Sequence, residues 1–288
     1  MNRVALLHSG GKDSVLALAA LRRDPSVTVV TLVATVTEGD NRLAMHRIER
    51  PLIEAQAASL RCSLEIVQVP HAASNDHYER AMNQTIARLQ KGGVEAIATG
   101  DLHLEAIRAY REGWLADIGM KALFPLWGRS SPAVVREFID AGYRATVICI
   151  DNERMPIKAI GEELDQRWLD ALPPGVDPCG ESGEYHSFVH DGPGFAFPIL
   201  IAERTIYQEG RYSFADLKLA PCSTCVRCSA PFACGAASGA PQCWCMAEPP
   251  VLPDQNQAAC FCPRCLTHIA ASHATERNAR GPLAPTDP

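Results

Sequence analysis

Apolar runs alternate with helix-like segments along residues 1–150 of the chain. Six runs are almost continuous in β-branched and aliphatic residues, which is typical of parallel strands covered on both faces. The runs lie at residues 4–7, 27–36, 64–69, 95–99, 122–126 and 145–150. Helical patterns separate them, at residues 14–22, 47–60, 77–91, 104–118 and 132–141. The alternation predicts an α/β fold with a Rossmann-like, doubly wound parallel sheet and right-handed crossovers.

The segment "SGGKDS", residues 9–14, follows the first apolar run and leads directly into the first helical pattern. Glycines let the backbone approach a ligand closely, and the N–H groups and dipole of a helix N-terminus attract an anion. Lys12 adds a positive charge, and a carboxylate such as Asp13 holds Mg²⁺ against phosphates. The segment is not a Walker loop, because Leu6 stands at the first glycine position and Asp13 follows the lysine. A phosphate-binding loop is predicted; the structural alternative is a capped, glycine-rich turn.

Three further stretches follow "SGGKDS" along the chain. They are "ATGDLHLEAIRAYREG" at 98–113, "LFPLW" at 123–127 and "DPCGESGEYHSF" at 177–188. Over residues 1 to about 200 this set resembles the diphthine–ammonia ligase family of PP-loop ATP pyrophosphatases and its bacterial relatives. The resemblance implies the adenine nucleotide α-hydrolase fold and an ATP-dependent ligase that cleaves ATP between its α- and β-phosphates. A carboxylate would be adenylated and attacked by ammonium, with release of AMP and pyrophosphate.

The resemblance also assigns roles by position. The residues it places at the nucleotide are Ser9, Gly10, Gly11, Lys12, Asp13, Ser14, Gly100, Arg108 and Arg111. The residues it places in catalysis are Lys12, Asp13, Asp101, Glu181 and Glu184, with Asp13 also on the metal. Asp101 lies at the carboxyl end of a strand, where open α/β sheets bind ligands, and would position Mg²⁺ or the acceptor. ATP and Mg²⁺ are the cofactors implied.

Structural alternatives stand beside these roles. Asp101 can instead cap the following helix. Arg108 and Arg111 share a helix face. They either clamp the acceptor carboxylate or the α-phosphate, or form a solvated face paired with Glu105 and Glu112. The two acids of "GESGEY" either bind ammonium and take its proton or lie on a solvated surface turn.

The segment "RLAMHRIE", residues 42–49, is similar to the family's Met-Phe-His stretch. It departs from the family at Ala44 and Met45, where the family has Met and Phe. His46 therefore either contacts the nucleotide or acceptor, or is an ordinary residue at a helix start.

Residues 172–193 carry so much glycine, proline and charge that a surface loop is predicted, with a helix before it at 161–172. Cys179 lies in this loop. A lone cysteine is usually a small buried apolar side chain, so a nucleophilic role is the lesser alternative.

Nine of the twelve cysteines lie between residues 222 and 265, in closely spaced groups. Thiolates bind Zn²⁺ tetrahedrally, and close pairs lower the entropy cost of assembling four ligands. The stretches "CVRCSAPFAC", "CWC" and "CFCPRCL" resemble the small cysteine-rich CWC proteins, whose pattern starts near Cys225 and leaves Cys222 as the extra cysteine. The predicted ligands are Cys225, Cys228, Cys234, Cys243, Cys245, Cys260, Cys262 and Cys265.

These eight thiolates would suffice for two four-thiolate Zn²⁺ sites, with His268 in reserve. The alternatives are reduced structural thiols, disulfides, or an iron–sulfur site.

Four regions are expected along the 288 residues. They are a PP-loop ATP-binding domain at 1–150, a substrate subdomain at 151–219, a CWC-type zinc-binding domain at 220–270 and a disordered tail at 271–288. The net charge of −6 disfavours broad nucleic-acid binding. With no apolar run of about 18 residues and no secretory signal, a cytoplasmic protein without a membrane partner is expected.

The expected partners are ammonium and a small-molecule or protein-borne carboxylate acceptor. Two other functions fit the same motifs. One is a PP-loop enzyme that modifies tRNA, and the other is an ATP-binding sensor with a zinc-dependent interaction module.

Overall fold

The structure, a computed structural model, describes residues 2–44, 46–71, 73–220, 223–228, 231–232, 244–247, 260–263 and 265–270. The chain divides into two compact units, Met1–Leu219 and Ala220–Pro288. The predicted tail at 271–288 lies outside the described residues. Within the described ranges, every helix is too short or too polar to cross a bilayer.

Five strands of the first unit form a parallel sheet in the order β3-β2-β1-β4-β5. The strands are β1 (Asn2–Leu7), β2 (Val27–Thr37), β3 (Leu64–Val69), β4 (Ala96–Ala98) and β5 (Lys121–Leu123). The helices are α1 (Lys12–Arg23), α2 (Arg50–Ser59), α3 (Asn75–Lys91), α4 (Glu105–Asp117) and α5 (Ser131–Asp140). The predicted Rossmann-like α/β fold is confirmed. The strand order reverses between β1 and β4, which is where open α/β sheets bind ligands.

Apolar side chains cover both faces of the parallel sheet, which explains the nearly continuous apolar runs. On one face, Leu6 of β1 belongs to a buried cluster with Leu16 of α1 and Phe138 of α5. On the other face, Ala5 belongs to a cluster with Met82 of α3 and Trp114 of α4, among others. Burying a large apolar side chain contributes about 1.5–3 kcal/mol, so these two layers hold the sheet between its helices.

The sixth apolar run does not join the parallel sheet. It forms β6 (Arg144–Asp151), which pairs antiparallel with β7 (Tyr185–Asp191) and β9 (Tyr212–Leu219). With β8 (Ile201–Glu209) these strands form a second sheet in the order β7-β6-β9-β8. The prediction that residues 145–150 continue the parallel sheet is wrong. Both faces of β6 are buried, and such a strand has the same apolar pattern in either kind of sheet.

The prediction of a surface loop at residues 172–193 is also wrong for Tyr185–Asp191. Residues from Tyr185 onward form β7, and Tyr185 and Phe188 are among the largest fully buried side chains of the chain. The polar residues among them predicted a loop, but Ser187 is buried and accepts a hydrogen bond from the Lys12 N–H instead of facing water. Of the helix predicted at 161–172, only α6 (Gln166–Asp170) is helical, preceded by a 3₁₀ turn at Ile157–Ala159.

The second unit contains a short antiparallel hairpin, β10 (Ser223–Thr224) and β11 (Pro231–Phe232). A 3₁₀ turn at Trp244–Ala247 and helical backbone at 265–270 are the other regular segments that the described part of this unit shows.

Candidate active site

The loop "SGGKDS" connects β1 to α1 and needs its first glycine. Gly10 has a φ of +78°, a conformation that other residues rarely adopt. A Cβ on Gly10 would lie 3.0 Å from Ile53 Cδ1 and 3.2 Å from Phe188 Cδ2, so there is also no room for one. Inside the loop, Ser14 Oγ donates to the Gly11 carbonyl oxygen at 2.9 Å. The conformation is therefore fixed both by the glycine and by packing from α2 and β7.

Strand β7 of the second sheet runs against this loop. The Val189 N–H donates to the Gly10 carbonyl oxygen at 2.9 Å. The Lys12 N–H donates to Ser187 Oγ at 3.3 Å, and a Cβ on Gly11 would lie 3.1 Å from the Ser187 carbonyl oxygen. The fold thus brings together "SGGKDS" and "GESGEYHSF", two segments that are more than 160 residues apart in sequence.

Two residues that sequence analysis did not single out hold this junction. Gln56 Nε2 donates to the carbonyl oxygens of Gly10 at 3.0 Å and Val189 at 2.5 Å. Gln56 Oε1 is then left as an acceptor, so His8 Nε2 donates the 2.6 Å hydrogen bond between the two side chains. His8 Nδ1 becomes an acceptor that is buried without a partner in the described part of the chain. The available signal was a histidine at the end of a buried strand, directly before the glycine-rich loop.

Lys12 is buried and its ammonium group faces the segment that precedes β7. Nζ donates to Asp13 Oδ2 at 2.8 Å and to the carbonyl oxygen of Cys179. It also lies 5.0 Å from the centre of the Tyr185 ring. Burial favours the neutral amine, but the Asp13 charge and the other nearby groups outweigh it and raise the pKa of Lys12. Lys12 therefore keeps its positive charge inside the site.

Asp13 uses one carboxylate oxygen and leaves the other unpaired. Oδ2 contacts Lys12, whereas Oδ1 is buried and has no hydrogen-bond partner among the described residues. Burial raises the pKa of Asp13, and the Lys12 charge opposes that shift. Mg²⁺ prefers carboxylate oxygens, so this unpaired oxygen fits a magnesium ion.

The loop after β4 packs on the first turn of α1. A Cβ on Gly100 would lie 2.9 Å from the backbone carbon of Asp13 and 3.1 Å from the Ser14 nitrogen. Backbone atoms cannot move aside cheaply, so Gly100 is required where the ends of β1 and β4 meet.

Asp101 follows Gly100 and pairs with Arg111. Arg111 Nε lies 2.8 Å from Asp101 Oδ2, which also accepts a 2.6 Å hydrogen bond from Thr99 Oγ1. Asp101 does not cap the next helix. The N-cap residue of α4 is Leu104, and no side chain makes a capping hydrogen bond there.

Arg108 occupies a different environment on the same helix. Its Nε lies 2.7 Å from Glu112 Oε1, the neighbour four residues on. Its guanidinium stacks over the rings of Trp127 at 4.7 Å and Phe124 at 5.3 Å, both from the "LFPLW" stretch. The two arginines are thus separated: one holds Asp101, and the other rests on an aromatic surface.

The two acids of "GESGEY" also have separate environments. Glu181 Oε2 accepts a 3.2 Å hydrogen bond from the Leu102 N–H, which places it at the loop after β4. Burial and the negative charge of Asp13 raise the pKa of Glu181. This carboxylate therefore lies between the two loops at the switch point.

Glu184 is fully buried and is held by other residues. Its Oε1 lies 2.8 Å from Arg154 Nη2 and accepts a 3.2 Å bond from the Asp177 N–H. Cys179 is buried as well, and burial raises the pKa of its thiol to about 12, so the thiol is protonated near neutral pH.

His46 and His186 form a pair beside the loop, with ring centres 4.5 Å apart. Desolvation lowers the pKa of His46 to about 4 and that of His186 well below its ordinary value, and the Lys12 charge acts in the same direction on both. The sequence pointed to His46 but not to His186, whose position in a buried strand was mistaken for a loop.

Four of the predicted metal-binding cysteines meet in the second unit. Cys225, Cys228, Cys262 and Cys265 have sulfur atoms that all lie within 4.8 Å of one another. Cys245 and Cys260 are described but stand outside this group, whereas Cys234 and Cys243, like the extra Cys222, lie outside the described residues. Burial opposes the ionisation of Cys225, but backbone N–H groups of Cys262, Cys228 and Arg227 outweigh it and lower the pKa to about 6. The cluster is consistent with metal binding.

The fold and the geometry define the class of protein: a Rossmann-like α/β chain that carries a PP-loop motif at its switch point. The family model for the diphthamide synthase N-terminal domain matches residues 2–122, and that for the diphthamide synthase C-terminal domain matches residues 130–221. The chain therefore belongs to the diphthamide synthase, or diphthine–ammonia ligase, family, as the motifs predicted. It is an enzyme of the ATP-dependent ligase class.

Proteins named diphthine–ammonia ligase align over about three quarters of the chain. The human protein is 28% identical over 241 residues, covering 75% of this chain and 88% of the relative. The Bos taurus protein is 26% identical over 241 residues with the same coverage, and the Mus musculus protein is 26% identical over 236 residues. The family models end at residue 221, before the cysteine-rich segment, so its likeness to the CWC proteins stays a prediction.

Proposed function

We propose that the protein is an ATP-dependent amide ligase that joins ammonium to a carboxylate and releases AMP and pyrophosphate. The observation that carries this proposal is the position of Glu181, which lies with Lys12 and Asp13 where "SGGKDS" meets the loop after β4. A phosphate-binding cation, a metal-binding carboxylate and a second carboxylate with a raised pKa are the groups that adenylation and amination need at one place.

In the first step a carboxylate oxygen of the acceptor attacks the α-phosphorus of ATP, and the bond to the bridging oxygen of pyrophosphate breaks. The loop residues Ser9 to Ser14 would grip the β- and γ-phosphates through their N–H groups, hydroxyls and the Lys12 charge. Gly100 would let the nucleotide approach the two strand ends. Arg108 and Arg111 would offset the negative charge that builds on the α-phosphate or hold the acceptor carboxylate.

Asp13 would hold Mg²⁺ through its unpaired oxygen, with Asp101 nearby to position the ion or the acceptor. When bound, Mg²⁺ would neutralise phosphate charge and so make the α-phosphorus easier to attack.

In the second step nitrogen attacks the acyl carbon, and AMP leaves with the bonding electrons of the acyl–oxygen bond. Ammonium has no lone pair, so it must first give a proton to a base. Glu181 is the better base of the two acids, because its raised pKa makes it a stronger proton acceptor than an ordinary carboxylate. Glu184 is engaged by Arg154 and would keep the loop in place.

The relatives are named for diphthine, a carboxylate carried on a protein. We propose a carboxylate acceptor here too, either small or protein-borne, and the partly buried pair His46 and His186 as its neighbours. The departure at Ala44 and Met45 is the feature that would change which acceptor fits.

The test is turnover of the full-length protein with ATP, Mg²⁺, ¹⁵N-ammonium and a panel of carboxylates. We expect AMP and pyrophosphate, with ¹⁵N in an amide product, only when the right acceptor is present. Pyrophosphate–ATP exchange with acceptor but without ammonium would report adenylation alone. The matched variants are Asp13→Asn, which should abolish exchange, and Asp117→Asn on an exposed helix position, which should not. Formation of ADP in place of AMP would contradict the proposal.

A further inference from the structure

Two Cys-x2-Cys pairs that are 34 residues apart, counted from Cys228 to Cys262, meet in the second unit. Cys228 Sγ and Cys262 Sγ are 3.7 Å apart, and the sulfurs of both pairs lie within 4.8 Å of one another. A tetrahedral zinc ion with Zn–S bonds of about 2.3 Å needs sulfurs that are about 3.8 Å apart. The arrangement therefore already has the dimensions of a four-thiolate site.

The local backbone explains how the pairs are presented. Cys225 and Cys228 lie in the turn that joins β10 to β11, and Cys262 lies just before the helical backbone at 265–270. The Val226 N–H donates to the Cys260 carbonyl oxygen at 3.3 Å, which ties the two pairs together through the backbone.

The described part of the second unit shows little else that holds it together. Its buried apolar cluster, among the described residues, consists of three of these cysteines and Phe232, with Phe261 packed against it. A cluster of that size cannot offset the conformational entropy of a separate unit, and small units of this kind are normally held by a metal or by disulfides. Disulfides do not fit here, because bonded sulfurs are about 2.05 Å apart and these four cysteines are not joined to one another.

We propose that Cys225, Cys228, Cys262 and Cys265 bind one structural Zn²⁺ and that this ion folds the second unit. The four thiols lose their protons to the buffer as the four Zn–S bonds form, with no change of oxidation state. Four protein ligands leave no open position, so the site is structural rather than catalytic. Zinc is favoured over iron for two reasons. It undergoes no redox change, and its filled d shell imposes no geometry, so four thiolates can surround it tetrahedrally.

The proposal also separates the cysteines of the segment into two groups. The sequence alone allowed two four-thiolate sites built from eight cysteines, without telling which ones share an ion. The geometry assigns one complete set, and of the other cysteines that the structure describes in this unit it leaves Cys245 and Cys260 outside that set. Substitution of the two groups must therefore have different consequences.

The experiment measures metal on the full-length protein and does not depend on ligase activity. We expect one zinc per chain by native mass spectrometry and elemental analysis of the wild-type protein. After removal of zinc, one equivalent of Co²⁺ should give the strong visible and near-ultraviolet bands of a tetrahedral four-thiolate site. This readout uses the wild-type chain, so it holds even where a variant does not fold.

Matched variants then identify the ligands. Cys228→Ser and Cys265→Ser should each lose the four-thiolate cobalt spectrum and most of the bound zinc. Cys245→Ser in the same unit should keep both, as should Cys149→Ser in the first unit. A metal-free protein, a bound iron, or a cobalt spectrum that Cys245→Ser abolishes while Cys265→Ser leaves it intact would each overturn the assignment.

Discussion

His8 and Gln56 share a 2.6 Å hydrogen bond that joins the end of the first parallel strand to helix α2. Gln56 also donates to the carbonyl oxygens of Gly10 and Val189, so one amide side chain links the "SGGKDS" loop to the second sheet. Gln56 has no exposed surface, so every one of these bonds is made away from water. This network, and not the loop sequence alone, fixes where the loop lies.

Replacing Gln56 by leucine should destabilise the first unit by about 2–4 kcal/mol, because three buried hydrogen bonds are lost. The matched control is Gln68→Leu on an exposed position of β3, which should change stability by less than about 0.5 kcal/mol. Urea denaturation of both variants and the wild type measures the difference. Equal stability of the two variants would show that the network does not hold the junction.

Two glycines offer a second matched pair. Gly100→Ala places a Cβ against the backbone of Asp13, so we expect lost ATP-dependent turnover and a clear loss of stability. Gly113→Ala lies in α4 with open space around it and should stabilise the helix by up to about 1 kcal/mol. Thermal denaturation and steady-state turnover would check both. A harmless Gly100→Ala would mean that the two loops do not pack as described.

The first loop and the parallel sheet could be predicted because each is indicated by a short stretch of consecutive residues. Apolar runs predict strands, and "SGGKDS" between a run and a helical pattern predicts a turn that leads into a helix N-terminus, whatever lies elsewhere in the chain. Five of the six strands were assigned to the correct sheet for this reason. The sixth was not, because burial on both faces carries no information about strand direction.

The rest of the site depends on contacts that the sequence does not encode locally. Ser187 is an ordinary polar residue until the second sheet brings it to the loop, and Gln56 is one until α2 packs beside that loop. The glycines and charged residues around His186 predicted a loop, although His186 lies in the buried strand β7. The roles of Arg108 and Arg111 likewise diverge only in three dimensions, since spacing places them on one face and their partners separate them.

Replacing each of the two acids of "GESGEY" by glutamine should affect a different property: catalysis for Glu181 and stability for Glu184. Glu181→Gln removes the proposed base, so amide formation should fall by about 10²–10⁴ while pyrophosphate–ATP exchange persists. Glu184→Gln weakens the bond to Arg154, whose guanidinium stays partly in water, so the free energy of unfolding should fall by about 1.5–3 kcal/mol. Exposed Glu162→Gln serves as the control for both. Equal loss of exchange and amide formation in Glu181→Gln would remove its role as base.

The buried His8 should make the first unit sensitive to acid. Burial lowers the pKa of His8 to about 4 in the folded chain, whereas the unfolded chain binds the proton near the ordinary value of 6.5. Between these two values the unfolded state holds more protons, so stability falls as pH falls from about 6.5 toward 4. At pH 5 the loss due to His8 alone is about 2 kcal/mol relative to pH 8.

The variant His8→Phe removes this titration, although it also loses the bond to Gln56. Its absolute stability will therefore differ, but its fall in unfolding free energy between pH 8 and pH 5 should be smaller than that of the wild type by about 2 kcal/mol. Exposed His71→Gln should keep the wild-type dependence on pH. All carboxylates are common to the three proteins, so the difference isolates one imidazole. An unchanged dependence of stability on pH in His8→Phe would mean that His8 binds its proton as readily in the folded chain as in the unfolded chain. Its Nε2 and Nδ1 would then not have the donor and acceptor roles that Gln56 dictates.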